Sequence, residues 1–208
     1  METILPPVGA GQRRVAKIAG ASCRPIFNTA PFAASLCELN VMPLERHVVL
    51  VAPEIHWNTG NIGRTCLAVS ARLHLIEPLG FSLDSRQIKR AGLDYWPRVR
   101  LSVWQNFDCF EESMSPQDGE VALLTKSGRQ PYWHLPSRSR LFLVFGAETR
   151  GLPEAIFLKY RLSSYYIPTT KHIRSLNLST AAGIALYESL RASQIAHHWK
   201  DAGQSGSG

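Results

Sequence analysis

Three polar, glycine-bearing stretches hold most of the residues in this chain that could do chemistry. They are NTGNIGRT (Asn58–Thr65), GAETRGLP (Gly146–Pro153) and TTKHIRSLNLS (Thr169–Ser179). A shorter one, Thr125-Lys126-Ser127-Gly128, lies between the first two. Arg64 offers a planar guanidinium suited to a bidentate phosphate contact. Its plainer reading is a solvent-facing residue one turn into a helix capped by Asn58 or Thr59. Glu148 is a carboxylate just beyond an apolar run, or simply a surface acid paired with Arg150. Gly146, directly after that run, lets a flat ligand lie against the backbone. Ser175, Asn177, Ser179 and Thr180 can each bond main-chain groups. A single helix N-cap needs fewer of them. Ala181, Ala182, Gly183 and Ala185 then form a thin helix face open to another backbone or a ligand. Gly183 costs about 0.8–1.0 kcal/mol against Ala, which tight packing can offset.

Other chemistries are missing from the pattern. There is no GxGxxG and no Walker loop, no Ser-His-Asp arrangement and no nucleophile elbow. His56, His74, His134 and His172 stand alone and read as surface or satisfied core residues. Cys23, Cys37, Cys66 and Cys109 are far apart with no CxxC pair. They read as reduced thiols of a cytosolic protein, without a metal site.

The elements that must position these loops follow an alternating pattern. HVVLVAP (47–53) is a β-branched run suited to a buried strand. NTGNIGRTCLAVSA continues as a helix. RLHLIEPLG and RVRLSVW read as strands, with a short helix, SRQIKRAGL, between them. FDCFEESM is a short helix. VALLTKSG and RLFLVFGAE are two more buried strands. GLPEAIFLKY holds a helix with Pro153 near its first position. SSYYIPTT is a last strand, and a helix from Ser179 to His197 closes the series. Alternation of this kind predicts an α/β fold, a mainly parallel sheet with helices on both faces. Ligands of such sheets bind beyond the carboxyl ends of the strands. All four polar stretches follow a strand, so they converge on one edge.

The chain has 208 residues, enough for one ordinary domain with a proper core. Its formal net charge of +7 suits an anionic partner such as nucleic acid. No basic run marks a charge-only tail, so any RNA contact falls to a folded surface. No apolar run is long enough to span a membrane. Residues 1–44 are expected to be a poorly structured extension, of which 1–41 read as a targeting peptide, a disordered leader or an over-extended gene start with Met42 as initiator. Residues 45–199 form the folded domain and 200–208 a flexible tail.

Taken together, NTGNIGRT, LFLVFGAETRGLP and IPTTKHIRSLNLSTAAGIALYE resemble, in order and spacing, the three motifs of the SPOUT class of RNA methyltransferases. HLIEPLGF and KRAGLDYW bring the resemblance closer to one branch, the tRNA (cytidine/uridine-34) 2′-O-methyltransferases. It covers about Glu45 to Arg191. One departure stands out: Gly63 follows Ile62 where that branch is expected to carry a bulkier residue.

The resemblance implies several things that spacing and periodicity do not. It implies a deep C-terminal trefoil knot, a homodimer, and S-adenosylmethionine as cofactor. It implies a cytoplasmic enzyme acting on the anticodon stem-loop of tRNA, with no metal and no membrane. By motif, the cofactor-binding residues would be Leu123, Gly146, Ile167, Ser175 and Leu176. Arg64, Asn61 and Ser175 would be catalytic, and Arg64, Glu148 and Asn177 would serve the substrate. A guanidinium holds its proton firmly. Arg64 is therefore expected to stabilise a developing alkoxide while another group takes the proton. Two readings stay open beside this one: a methyltransferase for another tRNA or rRNA position, and an RNA-binding module without catalysis.

Overall fold

A computed structural model describes residues 26–27, 44–83 and 95–192. Eight strands among them form one sheet, in the order β1-β4-β3-β2-β7-β5-β8-β6. The strands are β1 (Ile26–Phe27), β2 (Glu45–Val51), β3 (Arg72–Ile76), β4 (Leu101–Trp104), β5 (Val121–Leu124), β6 (Gln130–Pro131), β7 (Arg140–Phe145) and β8 (Ser164–Tyr166). Four α-helices accompany them: α1 (His56–Ala68), α2 (Phe107–Met114), α3 (Glu154–Tyr160) and α4 (Leu178–Arg191). Every neighbouring pair is parallel except β1 with β4. The expected mainly parallel α/β sheet is therefore what the chain forms.

Side-chain alternation along the central strands explains the three layers. Val48 and Leu50 of β2, with Leu141, Leu143 and Phe145 of β7, pack under α1 and α4 through Ile62, Cys66, Ala182, Ala185 and Leu186. Val49, Val51, Phe142 and Val144 point the other way, against Phe107 and Phe110 of α2 and Ile156 of α3. Both faces are buried, so the strands read as continuous apolar runs.

The chain builds outward from β2 through β3 to β4, crosses back to β5, and inserts β7 between β2 and β5. Because the strands are parallel, the segments after β2, β5, β7 and β8 leave from the same edge. Two glycines are demanded by this edge. A Cβ on Gly146 would lie 2.1 Å from the Gly151 carbonyl carbon, and one on Gly128 would lie 2.3 Å from that of Tyr165. The flat object against Gly146 is thus the chain's own Gly151–Leu152 backbone.

Several expectations are revised. Helix α1 starts at His56, and its N-cap is Ile55 with no side-chain cap. Asn58 and Thr59 are instead buried inside the first turns. Helix α4 is described to Arg191, and the rest of the expected span to His197 lies outside the described residues, as does the expected helix SRQIKRAGL. Strand β6 was not expected; its Pro131 is tolerated because β6 is the outer strand. Ile26 and Phe27, inside the expected N-terminal extension, pair with Val103 and Ser102. Cys66 is a free buried thiol, pushed up to about 12 by burial. Cys109 is disulfide-bonded, which corrects the expectation of four reduced thiols.

One polar chain sits inside the core. Trp104 Nε1–H donates to His74 Nδ1 (3.0 Å), which leaves His74 Nε2–H to donate to His47 Nδ1 (2.9 Å). His74 is thus the satisfied core residue expected. Burial is the main reason both rings resist protonation; His47 is lowered to about 3, with Arg72, Arg140 and Arg46 adding to the effect. In the unfolded chain a histidine titrates near 6.5. Below that pH the unfolded state binds more protons than the folded one, so stability falls as pH drops from about 6.5 toward 3. The expected slope is about 1.4 kcal/mol per pH unit for each histidine. Thermal melts between pH 7.5 and pH 5 should show it, and His47→Phe should flatten it.

Candidate active site at the carboxyl edge of the sheet

The loops after β2, β7 and β8 are joined by one run of hydrogen bonds. Glu148, after β7, accepts from the Glu54 backbone N–H (2.8 Å) and from Asn58 Nδ2 (2.9 Å). Asn58 Oδ1 in turn accepts from Asn177 Nδ2 (2.9 Å). Asn177 Oδ1 caps α4, accepting from the backbone of Ser179 (2.9 Å) and Thr180 (3.4 Å) and from the Ser179 hydroxyl (2.7 Å). The amide of Asn58, only 5% exposed, is thus the link between all three motifs. A buried amide with both ends bonded is a rigid spacer, because leaving either end unpaired is costly.

A second clasp runs in the opposite direction. Glu54 accepts from the Thr149 N–H (2.9 Å) and hydroxyl (2.7 Å), while its own N–H goes to Glu148. The Thr149 bonds hold the Glu54 carboxyl below its ordinary range. Arg150 lies 3.6 Å from Glu54, so its partner is Glu54 and not Glu148, which sets aside the plainer reading of Glu148 as a surface acid paired with Arg150. Gly80, in the IEPLGF stretch, completes the packing: a Cβ there would stand 2.7 Å from Glu54 Cα. That close approach is the physical content of the motif.

The residues singled out from sequence fall into two groups. Glu148 and Asn177 belong to the hydrogen-bonded junction. Arg64 and Asn61 are exposed on α1, outside it. The Asn61 carbonyl accepts from Thr65 Oγ1 (3.0 Å), and its side chain makes no hydrogen bond among the described residues. Arg64 has neither hydrogen bond nor ion pair among the described residues; its Cζ sits 4.6 Å from the centre of the Tyr95 ring. Ser175 is exposed in the β8–α4 loop with its hydroxyl unspent among the described residues. Ile167 and Leu176 are half-buried at the two ends of that loop. Leu123 is fully buried, packed in the α2–α3 layer near the end of β5. Asn58 and Glu54 were missed as functional residues. Their signal was present in sequence, but a helix cap explained Asn58 equally well.

Gly63, the departure from the expected pattern, has a partner. A Cβ there would fall 2.7 Å from Trp96 Cζ3. The bulk expected after Ile62 is supplied from the opposite side by Trp96, itself within KRAGLDYW. Gly63→Val should therefore overpack this contact and cost about 1–3 kcal/mol, read as a lowered melting temperature.

Residues 45–187 match the SpoU rRNA Methylase family. The chain belongs to that family. A relative from Listeria monocytogenes serotype 4b (strain F2365), provisionally named a tRNA (cytidine(34)-2′-O)-methyltransferase, is 49% identical over 152 residues, covering 71% of this chain and 88% of the relative. A solved structure described as addressing the 2-OH methylation of C/U34 on tRNA superposes with a TM-score of 0.66 at 41% identity, covering 73% of this chain and 92% of that one. The AdoMet-bound rRNA methyltransferase of Sinorhizobium meliloti superposes with a TM-score of 0.62 at 25% identity, covering 73% of this chain and 59% of that one. Like other SpoU-family members, this chain is a methylase by family. Among its described residues no helix is long and apolar enough to cross a membrane.

Proposed function

We propose that this chain is an S-adenosylmethionine-dependent tRNA 2′-O-methyltransferase acting on the wobble nucleotide 34, cytidine or uridine, of the anticodon stem-loop. The observation that carries the reading is the Glu148–Asn58–Asn177 junction. It locks the three motif loops while leaving the donors of Arg64 and the hydroxyl of Ser175 unspent. The 49% identity of the Listeria relative favours the wobble position over an rRNA target.

The residues fit the cofactor by their chemistry. An adenine plate takes apolar walls, and Ile167 and Leu176 are half-buried apolar side chains on one loop. Leu123, near the end of β5, and Gly146, directly after β7, bound the same edge of the sheet. Ser175 supplies a free hydroxyl to a polar edge. When bound, S-adenosylmethionine supplies a methyl group on a sulfonium, which needs no metal.

Arg64 directs its N–H groups to the ribose 2′-oxygen and the adjoining phosphate. It stabilises negative charge that grows as the hydroxyl proton departs. Asn61, exposed a turn earlier on α1, and the junction residues Glu148 and Asn177 shape the rim that receives the nucleotide. The loop ending in Asn177 is the segment that would form the trefoil knot.

The proposal extends to a cytoplasmic homodimer built on α4. Among the described residues nothing lies within 4 Å of a Cβ at Gly183, and Tyr187, one turn on, is 55% exposed. Gly183 is costly inside a helix, and no described residue packs against it, which supports a partner helix there. Gly183→Leu should shift the protein to monomer in analytical ultracentrifugation. Residues 1–44 and 200–208 are assigned no part in catalysis. The reading as a whole is tested by calorimetry with S-adenosylmethionine and by transfer of labelled methyl to unmodified tRNA. Absence of cofactor binding would favour an RNA-binding module without catalysis.

A further inference from the structure

We infer that Tyr95 is a positioning residue for Arg64, an aromatic shelf that presets the guanidinium for the nucleotide; the inference rests on the methyltransferase reading above.

The geometry is specific. Tyr95 is only 6% exposed, and its hydroxyl donates to the Gly60 carbonyl (3.0 Å), fixing the ring beneath the first turns of α1. Its face then carries the Arg64 guanidinium at 4.6 Å. The next residue, Trp96, is 8% exposed and fills the space that Gly63 leaves open on the same helix. Both aromatic rings therefore grip the Gly60–Arg64 turn from below. They form a platform that only a small residue at position 63 allows.

The consequence is chemical. An exposed arginine on a helix samples many rotamers and loses that freedom when it engages substrate. A guanidinium stacked on a ring face is held by the ring's quadrupole through its flat side. Its N–H groups lie in the guanidinium plane, so they remain free to reach phosphate and ribose oxygens at the rim. An ion pair would orient Arg64 equally well but would occupy those donors. The ring orients without consuming them. This gives Tyr95 and Trp96, in the KRAGLDYW stretch, a role that the three motif loops do not include. It also gives a reason for the pairing of Gly63 with Trp96.

The test compares Tyr95→Leu with Tyr95→Phe, alone and combined with Arg64→Ala. Methyl transfer to tRNA is measured under single turnover, alongside S-adenosylmethionine affinity. Tyr95→Leu should lower the single-turnover rate constant by about 10- to 100-fold, as expected for a misplaced group, with cofactor affinity unchanged. Tyr95→Phe, which keeps the ring, should recover most of that loss. In the Arg64→Ala background, Tyr95→Leu should have no further effect. Equal losses for Leu and Phe, or a Tyr95→Leu loss that persists undiminished without Arg64, would overturn the shelf. A second readout does not depend on turnover. The Arg64 side-chain protons should show an upfield ring-current shift in NMR, kept in Tyr95→Phe and lost in Tyr95→Leu. If the wild-type protein transfers no methyl group, the enzymatic reading fails while the ring-current comparison still decides the placement. An Arg64 resonance unmoved by Tyr95→Leu would overturn the placement itself.

Discussion

Arg64→Ala should lower methyl transfer steeply while leaving S-adenosylmethionine affinity within about twofold of wild type. The expected loss in kcat is about 10²–10³-fold, the scale seen when one preorganised donor to a developing oxyanion is removed. Arg64 makes no hydrogen bond or ion pair among the described residues, resting only on the Tyr95 ring. Its removal therefore breaks no folded-state network, and an exposed truncation costs at most about 0.5 kcal/mol. Stability and cofactor binding act as internal controls. A melting temperature near wild type with lost turnover would assign Arg64 to the chemistry. Retention of full turnover would remove it from the mechanism.

Asn58→Ala should produce the opposite profile, with stability and activity falling together. It deletes the donor to Glu148 and the acceptor for Asn177 at one buried point. Breaking a buried hydrogen-bonded pair costs about 1–3 kcal/mol. That should appear as a melting temperature lowered by several degrees. Loosening the loop after β8 against α1 should also lower kcat/KM by about 10²-fold, since small misplacements near the chemistry are amplified. Asn58→Asp should be worse, because it sets a carboxylate against Glu148. The exposed Asn61, by contrast, should tolerate Ala with little change in stability. A melting temperature unaffected by Asn58→Ala would mean that the junction does not brace the loops.

How much of this was legible in sequence depends on which physical signal each feature leaves. Buried parallel strands leave apolar runs, and β2, β5 and β7 were readable for that reason. The convergence of loops followed from parallel pairing alone. Gly183 in a helix and the surplus of polar residues from Ser175 to Thr180 could be noticed as costs. What compensates such costs is tertiary and was not readable. Asn58 illustrates this: its position before an apolar stripe suits an N-cap, and only the fold shows its amide spent on Glu148 and Asn177. Gly146 is a second case. Its bareness was legible, but what occupies the space is the chain's own Gly151–Leu152 backbone, across a turn whose geometry no period encodes. Gly63 is a third, because its partner Trp96 is distant in sequence and meets it only where both pack on one face of the sheet.

The central claim is the target nucleotide. Purified protein, S-adenosylmethionine and unmodified tRNA can be incubated together, and the tRNA digested and mapped by mass spectrometry. The account predicts one added methyl on the ribose of nucleotide 34, in cytidine- or uridine-wobble species, formed at least about 10²-fold more slowly with Arg64→Ala. A methyl group at another tRNA position, on rRNA alone, or on a base would contradict it.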